Sequence, residues 1–147
     1  MVGHAFMGAA HSRAWRTVSQ VMDLPLTPVM ATVVGRRPEA TAAAAERLGW
    51  AEASTDWRSV VDRDDIDLID ICTPGDAHAE IAIAALRAGK HVLCEKPLGN
   101  SLSEATTMAD AARSSRANGV RAMIGFNYRR VPALALAAGV DSRGAGR

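Results

Sequence analysis

The chain has 147 residues, enough for one domain, and its 48% apolar and 22% charged residues are ordinary for a globular protein in water. Its formal net charge of +1 gives no electrostatic basis for partners such as nucleic acid or an anionic membrane. Because no apolar stretch could span a bilayer, no signal peptide is evident and both cysteines lie in apolar runs, we expect a cytoplasmic protein.

Segments of two alternating types follow one another along the chain. Runs rich in β-branched and apolar residues predict strands at 29–34, within 50–54, and at 66–72, 91–95 and 120–126. Helical patterns are found at 9–23, 38–48, 57–61, 77–88 and from 102 to about 118. Strands that alternate with helices in this way indicate βαβ units. The sequence therefore predicts an α/β fold, a doubly wound parallel sheet with helices on both faces.

Residues suited to helix ends support these boundaries. Pro38 is tolerated in a first helical turn, Ser101 and Glu104 have the spacing of a capping box, and Gly89 suits a left-handed cap. We expect one domain over residues 1–130, followed by a disordered tail over 131–147.

The chain opens with Gly3-His4-Ala5-Phe6-Met7-Gly8, which matches the glycine fingerprint of dinucleotide-binding domains except that Ala5 replaces the second glycine. The first glycine permits a tight turn, the second lets the backbone approach the pyrophosphate, and the third lets helix pack on strand. The methyl group of alanine should weaken binding or shift the approach. A glycine-rich start without function is the alternative, but the helix and second strand that follow favour the fingerprint.

Only Met1 and Val2 precede this motif, although a dinucleotide-binding domain has a strand there. In the strand order 3-2-1-4-5-6 that first strand lies in the middle of the sheet. Losing most of it would leave its two neighbours without their shared partner and expose an apolar slot. We therefore expect that the N-terminus of the protein lies several residues upstream, or that this copy is defective.

The second strand ends in Val34-Gly35-Arg36-Arg37, where such domains usually carry an acidic residue that binds the adenosine ribose. Two arginines in place of the acid suit a 2′-phosphate, or one could stack on adenine through its planar guanidinium. The alternative is a solvated arginine pair beside a helix start.

Thr73 and Pro74 follow a predicted buried strand, and His78 opens the next helix. Backbone N–H groups at such a terminus can bind a phosphate or ribose oxygen. The alternative is a turn set by proline with His78 as a surface residue, and considered alone it is somewhat favoured.

The run from His91 to Pro97 ends a predicted buried strand on Glu95-Lys96-Pro97. These residues should lie at the carboxyl edge of the sheet, where open α/β sheets bind ligands. A lysine there can hold a substrate hydroxyl or the nicotinamide amide, and desolvation beside apolar strands could lower its pKa. The alternative is a surface ion pair. The segment 126–130 adds polar groups to the same edge, or is a basic loop that caps the sheet.

No residues have the spacing of metal ligands, and we expect no metal site. Cys72 and Cys94 end neighbouring predicted strands and are interpreted as small buried fillers. The histidines that lack ligand spacing are His4, His11, His78 and His91.

Together these motifs resemble the N-terminal Rossmann domain of the glucose-fructose oxidoreductase/inositol dehydrogenase/rhizopine catabolism (Gfo/Idh/MocA) family. The resemblance runs from Gly3 to about Pro132, and its most specific part is the segment from Ala84 to Pro97. Thr73-Pro74 with His78, and the segment 125–129, support it at the expected order and distance. It implies an NAD(P)-dependent oxidoreductase that transfers a hydride between nicotinamide and a hydroxyl or carbonyl carbon of a sugar or polyol.

By this resemblance Lys96 is the catalytic residue, which orients the substrate hydroxyl and the nicotinamide, while Glu95 and Pro97 shape its loop. The segment 3–8 cradles the pyrophosphate, and Arg36 meets the adenosine end. The cofactor, NAD or NADP, is expected to contact Gly3, Ala5, Phe6, Met7, Gly8, Arg36, Arg37, Thr73, Pro74, His78, Glu95, Lys96 and Pro97.

Members of the family continue into a second domain that supplies most of the substrate pocket, a histidine for proton transfer and usually the oligomer interface. Residues 131–147 would be a remnant of its start, and these 17 residues cannot build a sheet. We therefore expect a truncated member, without the family's oligomer interface, that turns over poorly or not at all by itself. Two alternatives remain: a non-catalytic module that holds NAD(P) and complements a partner chain, and an unstable fragment without a role.

Overall fold

The structure, a computed structural model, describes residues 1–134 and residue 136. The strands in this part of the chain are β1 (Thr32–Val34), β2 (Glu52–Ser54), β3 (Leu68–Ile71), β4 (His91–Cys94) and β5 (Ala122–Ile124). The α-helices are α1 (Phe6–Val21), α2 (Pro38–Leu48), α3 (Trp57–Val61), α4 (His78–Arg87) and α5 (Leu102–Arg116). Short 3-10 turns cover Gly75–Ala77 and Asn127–Arg130.

Each predicted helix and strand is present in the predicted order, although the strands are shorter than the apolar runs that indicated them. The largest difference is at α1, which begins at Phe6 inside the glycine motif. Local signals for helix ends are confirmed: Ser101 Oγ accepts a hydrogen bond from the Glu104 N–H at 3.1 Å, and Gly89 has a φ of 77° after α4. The tail predicted at 131–147 lies largely outside the described residues.

The strands form a parallel sheet whose two halves meet at Val2. β1 pairs with β2, and β4 pairs with both β3 and β5, all in parallel. Val2 bridges Val34 on one side and Ile71 on the other. The spatial order is therefore β2-β1-Val2-β3-β4-β5, which is the predicted order with Met1 and Val2 in the place of the first strand.

Met1 and Val2 pair with both neighbouring strands, so the expectation that these strands lack a shared partner is wrong at this level of the sheet. Val2 donates its N–H to the Asp70 carbonyl and accepts from the Cys72 N–H, each at 2.8 Å. The Met1 carbonyl accepts from the Val34 N–H at 2.8 Å. Both residues are only 5% exposed. Two residues are enough to join β1 and β3, because each residue of a parallel strand directs its N–H and C=O groups to one neighbouring strand. Met1 bonds to β1, and Val2 bonds to the segment of β3.

The apolar slot predicted beside the first strand is found on the amino side of Met1. A cavity of about 420 Å³ lies there between the segments 28–32 and 65–70, where a longer first strand would run. Trp15, Leu26 and Trp50 also line it. The sheet is therefore continuous at its carboxyl edge and divided at its amino edge.

Helices cover both faces of the sheet, and successive strand residues alternate between them. Met1, Val33 and Cys72 pack with α1 and α2 in a small cluster. The larger cluster on the opposite face packs β3 and β4 against α4, with Ile69 and Ile71 among its most buried residues. No described helix is both long and apolar enough to cross a membrane.

Candidate functional site

The segments that follow the strands converge on one edge of the sheet, because all the strands run in the same direction. They are the glycine motif after Val2, the arginine pair after β1, the turn 73–76 after β3, the corner 95–97 after β4 and the segment 125–130 after β5. The structure therefore places the residues singled out in the sequence at the carboxyl edge.

Gly3 makes the turn that leads from the first strand into α1. Its φ of 95° lies in the region that favours glycine, and an added Cβ would lie 2.6 Å from the Cys72 carbonyl oxygen. Its N–H donates to the Val34 carbonyl at 2.9 Å. Gly8 packs directly on this turn, since its Cβ would meet the Gly3 carbonyl. Both glycines are required by close backbone packing.

The first turn of α1 is open to a ligand. Ala5 is the N-cap residue and offers no side-chain hydrogen bond, and the first turn carries no acidic residue. Phe6 is 84% exposed at the same place. Unpaired N–H groups and the positive end of the helix dipole favour an anion there. The Met7 side chain instead packs against the cluster of Met1 and Val33, so only its backbone is directed to this edge.

His4 lies at the end of β1, where the ribose-binding acid was missing. Its Nε2 atom is 3.3 Å from Thr41 Oγ1, and a Cβ on Gly35 would come within 2.3 Å of the same Nε2 atom. Arg36 and Arg37 are exposed beside it, and neither makes an ion pair with another described residue. The two guanidinium groups remain available to a ligand.

Thr73 has the one buried side-chain polar atom, within the described part of the chain, that lacks a hydrogen-bond partner. This Oγ1 atom lies next to the fingerprint turn, because an added Cβ on Gly3 would be 3.0 Å from the Thr73 backbone nitrogen. A buried hydroxyl without a partner costs about 1–3 kcal/mol. A ligand oxygen or amide bound at this edge would satisfy it, so the residues present fit a dinucleotide.

His78 is 1% exposed, which excludes the alternative of a surface residue. Its Nδ1 atom lies 2.8 Å from the Pro97 carbonyl oxygen, and its Nε2 atom lies 2.9 Å from the Thr73 carbonyl oxygen. The ring thus joins the turns that follow β3 and β4. Its polar atoms are occupied by these backbone contacts, whereas Pro74 nearby is exposed.

Glu95 and Lys96 do not form the surface ion pair that was the alternative for this corner. Glu95 is 5% exposed, and its Oε2 atom accepts a hydrogen bond from the Lys96 backbone N–H at 3.1 Å. The Lys96 side chain is exposed, as is Pro97. The sequence suggested that apolar strands desolvate the Lys96 ammonium, but this side chain is exposed to solvent.

A buried polar cluster behind this corner was not predicted. His11, on α1, places Nδ1 2.9 Å from Asp70 Oδ1 and Nε2 3.1 Å from Glu95 Oε1. Trp15 Nε1 donates to Asp70 Oδ2 at 2.7 Å. The hydrogen bond to Asp70 is the largest cause that raises the pKa of His11, burial opposes it, and Glu95 adds to the rise. The signal in the sequence was Asp70 itself, because a carboxylate inside a buried strand needs a partner.

Cys72 and Cys94 are free and buried, as their interpretation as fillers requires. Burial is the main cause that raises the pKa of Cys94 to about 12, and it raises the pKa of Cys72 as well. Ligand atoms of His11, Asp70 and Cys72 lie within 4.8 Å of one another, a grouping that sequence spacing could not reveal. Since the thiol is held protonated and the imidazole is already bonded to the carboxylate, hydrogen bonding accounts for this grouping.

At the end of β5 the chain places exposed apolar and polar groups beside the corner. Phe126 is 53% exposed and Tyr128 is 69% exposed. Gly125 packs on the cluster, because an added Cβ would lie 2.8 Å from Glu95 Oε1.

Comparison with known proteins relates the chain to a family of oxidoreductases. Residues 1–126 match the model of the GFO_IDH_MocA oxidoreductase family, described as an NAD-binding Rossmann fold. Levoglucosan dehydrogenase of Pseudarthrobacter phenanthrenivorans is 44% identical over 138 residues, which are 93% of this chain and 35% of that protein.

Solved structures give the same relationship. An oxidoreductase domain protein from Kribbella flavida superposes with a TM-score of 0.92 at 59% identity, over 97% of this chain and 38% of that one. A levoglucosan dehydrogenase solved in complex with NADH gives a TM-score of 0.91 at 44% identity, over 99% of this chain and 39% of that one. The chain spans well under half the length of these relatives.

Proposed function

The chain belongs to the Gfo/Idh/MocA oxidoreductase family as an NAD-binding Rossmann domain, and we propose that its carboxyl edge holds the cofactor for hydride transfer with a hydroxyl carbon of a sugar or polyol. The residues that carry this proposal are Gly3 and Gly8, the first turn of α1, Thr73 and Lys96. We propose that the substrate wall is supplied from outside residues 1–134, so that this domain by itself should turn over poorly or not at all.

The unpartnered Thr73 hydroxyl is the observation that carries the proposal. It is buried at the carboxyl edge, beside the Gly3 turn, and lacks a partner among the described residues. In a folded domain such a group is destabilising unless a ligand or an ordered water satisfies it. We place the nicotinamide side of the cofactor at Thr73 and Pro74, in agreement with the segment's position between the fingerprint and the lysine corner.

The pyrophosphate belongs at the uncapped start of α1. The backbone N–H groups after Ala5 supply hydrogen bonds, and the helix dipole supplies a favourable potential for the charge. The Ala5 methyl group restricts how closely the phosphates approach. The Met7 side chain takes no part, because it packs inward.

Lys96 is the group that we assign to the reacting centre. Bound NAD supplies the ring carbon that exchanges a hydride with the substrate. The exposed Lys96 ammonium donates hydrogen bonds and positive charge toward a substrate hydroxyl or the nicotinamide amide. Its backbone is held by the Glu95 carboxylate at 3.1 Å, and the following residue, Pro97, is held by His78 at 2.8 Å. The buried side chains of Glu95 and His78 thus fix the backbone of the corner.

We propose that the adenosine end accepts NADP as well as NAD. The residues directly after β1, 35–37, include no carboxylate to repel a 2′-phosphate, and Arg36 and Arg37 are exposed at that place. The His4 and Thr41 side chains line the same end beside Gly35, where they could bond ribose hydroxyls.

The second candidate is a non-catalytic module that holds the cofactor and complements a partner chain. It is favoured by the exposed apolar groups around the end of β5, which would be covered by another domain or chain: Met123, Phe126, Tyr128 and Leu134. Both candidates require cofactor binding. They differ in turnover, which the module lacks even with the partner bound.

Thermal denaturation with NADH and NADPH at millimolar concentration tests cofactor binding, which both candidates require. A ligand that binds only the folded state raises the melting temperature. We expect a rise for the wild type and its loss in Thr73→Val, whereas Thr106→Val, at an exposed threonine of α5, should respond like the wild type. No rise with either cofactor would overturn the proposal. Turnover with a panel of sugars and polyols, measured once the substrate domain or the partner chain is supplied, then separates the two candidates.

A further inference from the structure

The imidazole of His11 is clamped between two buried carboxylates from different strands. Its Nδ1 atom lies 2.9 Å from Asp70 Oδ1, and its Nε2 atom lies 3.1 Å from Glu95 Oε1. The side chains of Asp70 and Glu95 are 2% and 7% exposed, and that of His11 is 16% exposed. Carboxylates only accept hydrogen bonds, so both contacts are made when both ring nitrogens carry protons. The geometry is that of an imidazolium.

The groups around the ring come from several elements. Besides the two carboxylates, the Cys72 thiol lies near Asp70, with Sγ 3.6 Å from Oδ1, and the buried Met1 amino group interacts electrostatically with Asp70 when it is protonated. Trp15 is uncharged and bonds to Asp70. Two acids therefore face the imidazole directly, and the pKa of His11 is raised with the Asp70 hydrogen bond as the largest cause.

The two carboxylates differ in how firmly they are held. Asp70 lies within β3 and also accepts the Trp15 Nε1–H at 2.7 Å. Glu95 lies just after β4, where Oε1 faces His11 and Oε2 accepts the Lys96 N–H. Loss of one imidazole proton leaves a single N–H, which the better-held Asp70 would keep. The lone pair of Nε2 would then face Glu95, a repulsive arrangement for a buried carboxylate.

We propose that His11 is a positioning residue, which as an imidazolium holds Glu95 and through it the backbone of Lys96, and that its deprotonation releases the lysine corner. The path has three links, from α1 to Glu95, from Glu95 to the Lys96 N–H, and from that backbone to the ammonium at the carboxyl edge. Gly125 completes the enclosure, since any side chain there would displace Glu95 Oε1. The coupling is a property of this chain alone, and only its consequence for hydride transfer rests on the proposed function.

NMR spectroscopy of the labelled full chain tests the coupling directly. The ring resonances of His11 and the backbone amide of Lys96 are followed upward from about pH 6, because the pKa of His11 is raised above its ordinary value. We expect the Lys96 amide to titrate with the same midpoint as the His11 ring. The Arg58 amide, which donates to Asp56 Oδ1 at 2.9 Å at the N-terminus of α3, is the control and should show no transition at that midpoint.

The variant Glu95→Gln removes the middle link, because one of the two carboxylate oxygens becomes an NH2 donor and the side chain can no longer accept from both His11 Nε2 and the Lys96 N–H. In it the Lys96 amide should no longer follow His11, whose own midpoint falls because one carboxylate has gone. His11→Gln should likewise leave the Lys96 amide without a transition, and if that variant fails to fold, Glu95→Gln decides alone. A Lys96 amide that ignores the titration of His11 in the wild type would overturn the proposal.

Cofactor binding gives the second, separable result. NADH affinity should fall at least about fivefold as His11 loses its proton, the lower end of common coupling between sites. In Glu95→Gln this pH dependence should be lost. An NADH affinity that stays constant across the His11 transition would overturn the functional part of the coupling. If NADH does not bind at any pH, the proposed function fails while the NMR titration still decides the coupling.

Discussion

A Cβ atom added to Gly8 would lie 2.2 Å from the carbonyl oxygen of Gly3, although the two residues belong to the helix and to the turn before it. Gly8 is buried and helical, so this contact cannot be relieved by a flexible side chain. The third glycine of the motif is therefore fixed by backbone packing within the domain, independently of any cofactor.

We predict that Gly8→Ala destabilises the protein. Helix propensity alone would favour alanine by about 1 kcal/mol, whereas overpacking costs roughly 1–3 kcal/mol, and a contact with backbone at this distance makes the second effect larger. Chemical denaturation measures whether the free energy of unfolding of Gly8→Ala is lower than that of the wild type. Arg13→Ala, at an exposed position of the same helix, should change stability by less than about 0.5 kcal/mol. Equal or greater stability of Gly8→Ala would mean that the turn can move.

We predict that Arg36 and Arg37 govern discrimination between the two cofactors. If a guanidinium meets the 2′-phosphate, alanine substitution loses a charged hydrogen bond of about 1.5–3 kcal/mol, so NADPH affinity falls roughly tenfold or more while NADH affinity is kept. If it stacks on adenine, both affinities fall together. Titration of each single variant with both cofactors distinguishes the two. The control is Arg113→Ala, on α5, and unchanged binding in both variants would leave the arginine pair a solvated surface feature.

The order and type of the elements could be predicted from the sequence because they depend on local patterns. Apolar runs gave the strands, and helix-end residues such as Pro38, Gly89 and Ser101 gave the boundaries of the helices. Strand lengths could not be obtained in this way, because pairing with neighbours decides where a strand ends. The start of α1 at Phe6 was missed because the fingerprint was treated as a loop.

The site was predictable where one short segment carries the chemistry, as at Glu95-Lys96-Pro97. It was not predictable where tertiary contacts assign the roles. His11 meets Asp70 and Glu95 across 59 and 84 residues of sequence, so no spacing rule could bring them together. The alternative that His78 is a surface residue was wrong for the same reason, because its two carbonyl partners come from different turns.

We predict that the buried Met1 amino group makes stability depend on pH. Burial, as the largest cause, lowers the pKa of this group from 8.0 to about 6 in the folded protein. Between these values the unfolded chain binds more protons, so folding stability rises with pH from about 6 to 8. Two pKa units correspond to roughly 2–3 kcal/mol.

His11 acts in the opposite direction, so the measurement must separate the two groups. The folded-state pKa of His11 is raised, and its contribution is full below 6.5 and is lost as pH rises through the folded value. Urea denaturation is therefore measured on the chain with a free and with an acetylated N-terminus. The contribution of His11 is present in both forms and cancels in the difference between their free energies of unfolding. The difference between the two forms should grow in favour of the free amine from pH 6 to pH 8. A constant difference would contradict the burial of a titrating amine.

The slot on the amino side of Met1 lies where a longer first strand would run. It lies between the segments 28–32 and 65–70, and its volume is about 420 Å³. Because Val2 and Met1 already bond to both neighbours, continuing the parallel ladder would bring the Thr32 and Asp70 N–H groups and the Leu68 carbonyl to an added segment. Both faces of that segment would be covered, so both should be apolar.

We predict that adding the tripeptide Ile-Val-Ile before Met1 stabilises the protein. Each side chain buried in the slot contributes about 1.5–3 kcal/mol, and ordering each residue costs about 1–2 kcal/mol, so the net effect is a rise of several degrees in melting temperature. The extension also removes the titratable amine from its buried place beside Thr32. The matched control, Ile-Val-Pro, lacks the N–H that would bond to the Leu68 carbonyl and should give a smaller rise. Equal melting temperatures for the two extensions would mean that the added segment remains outside the sheet.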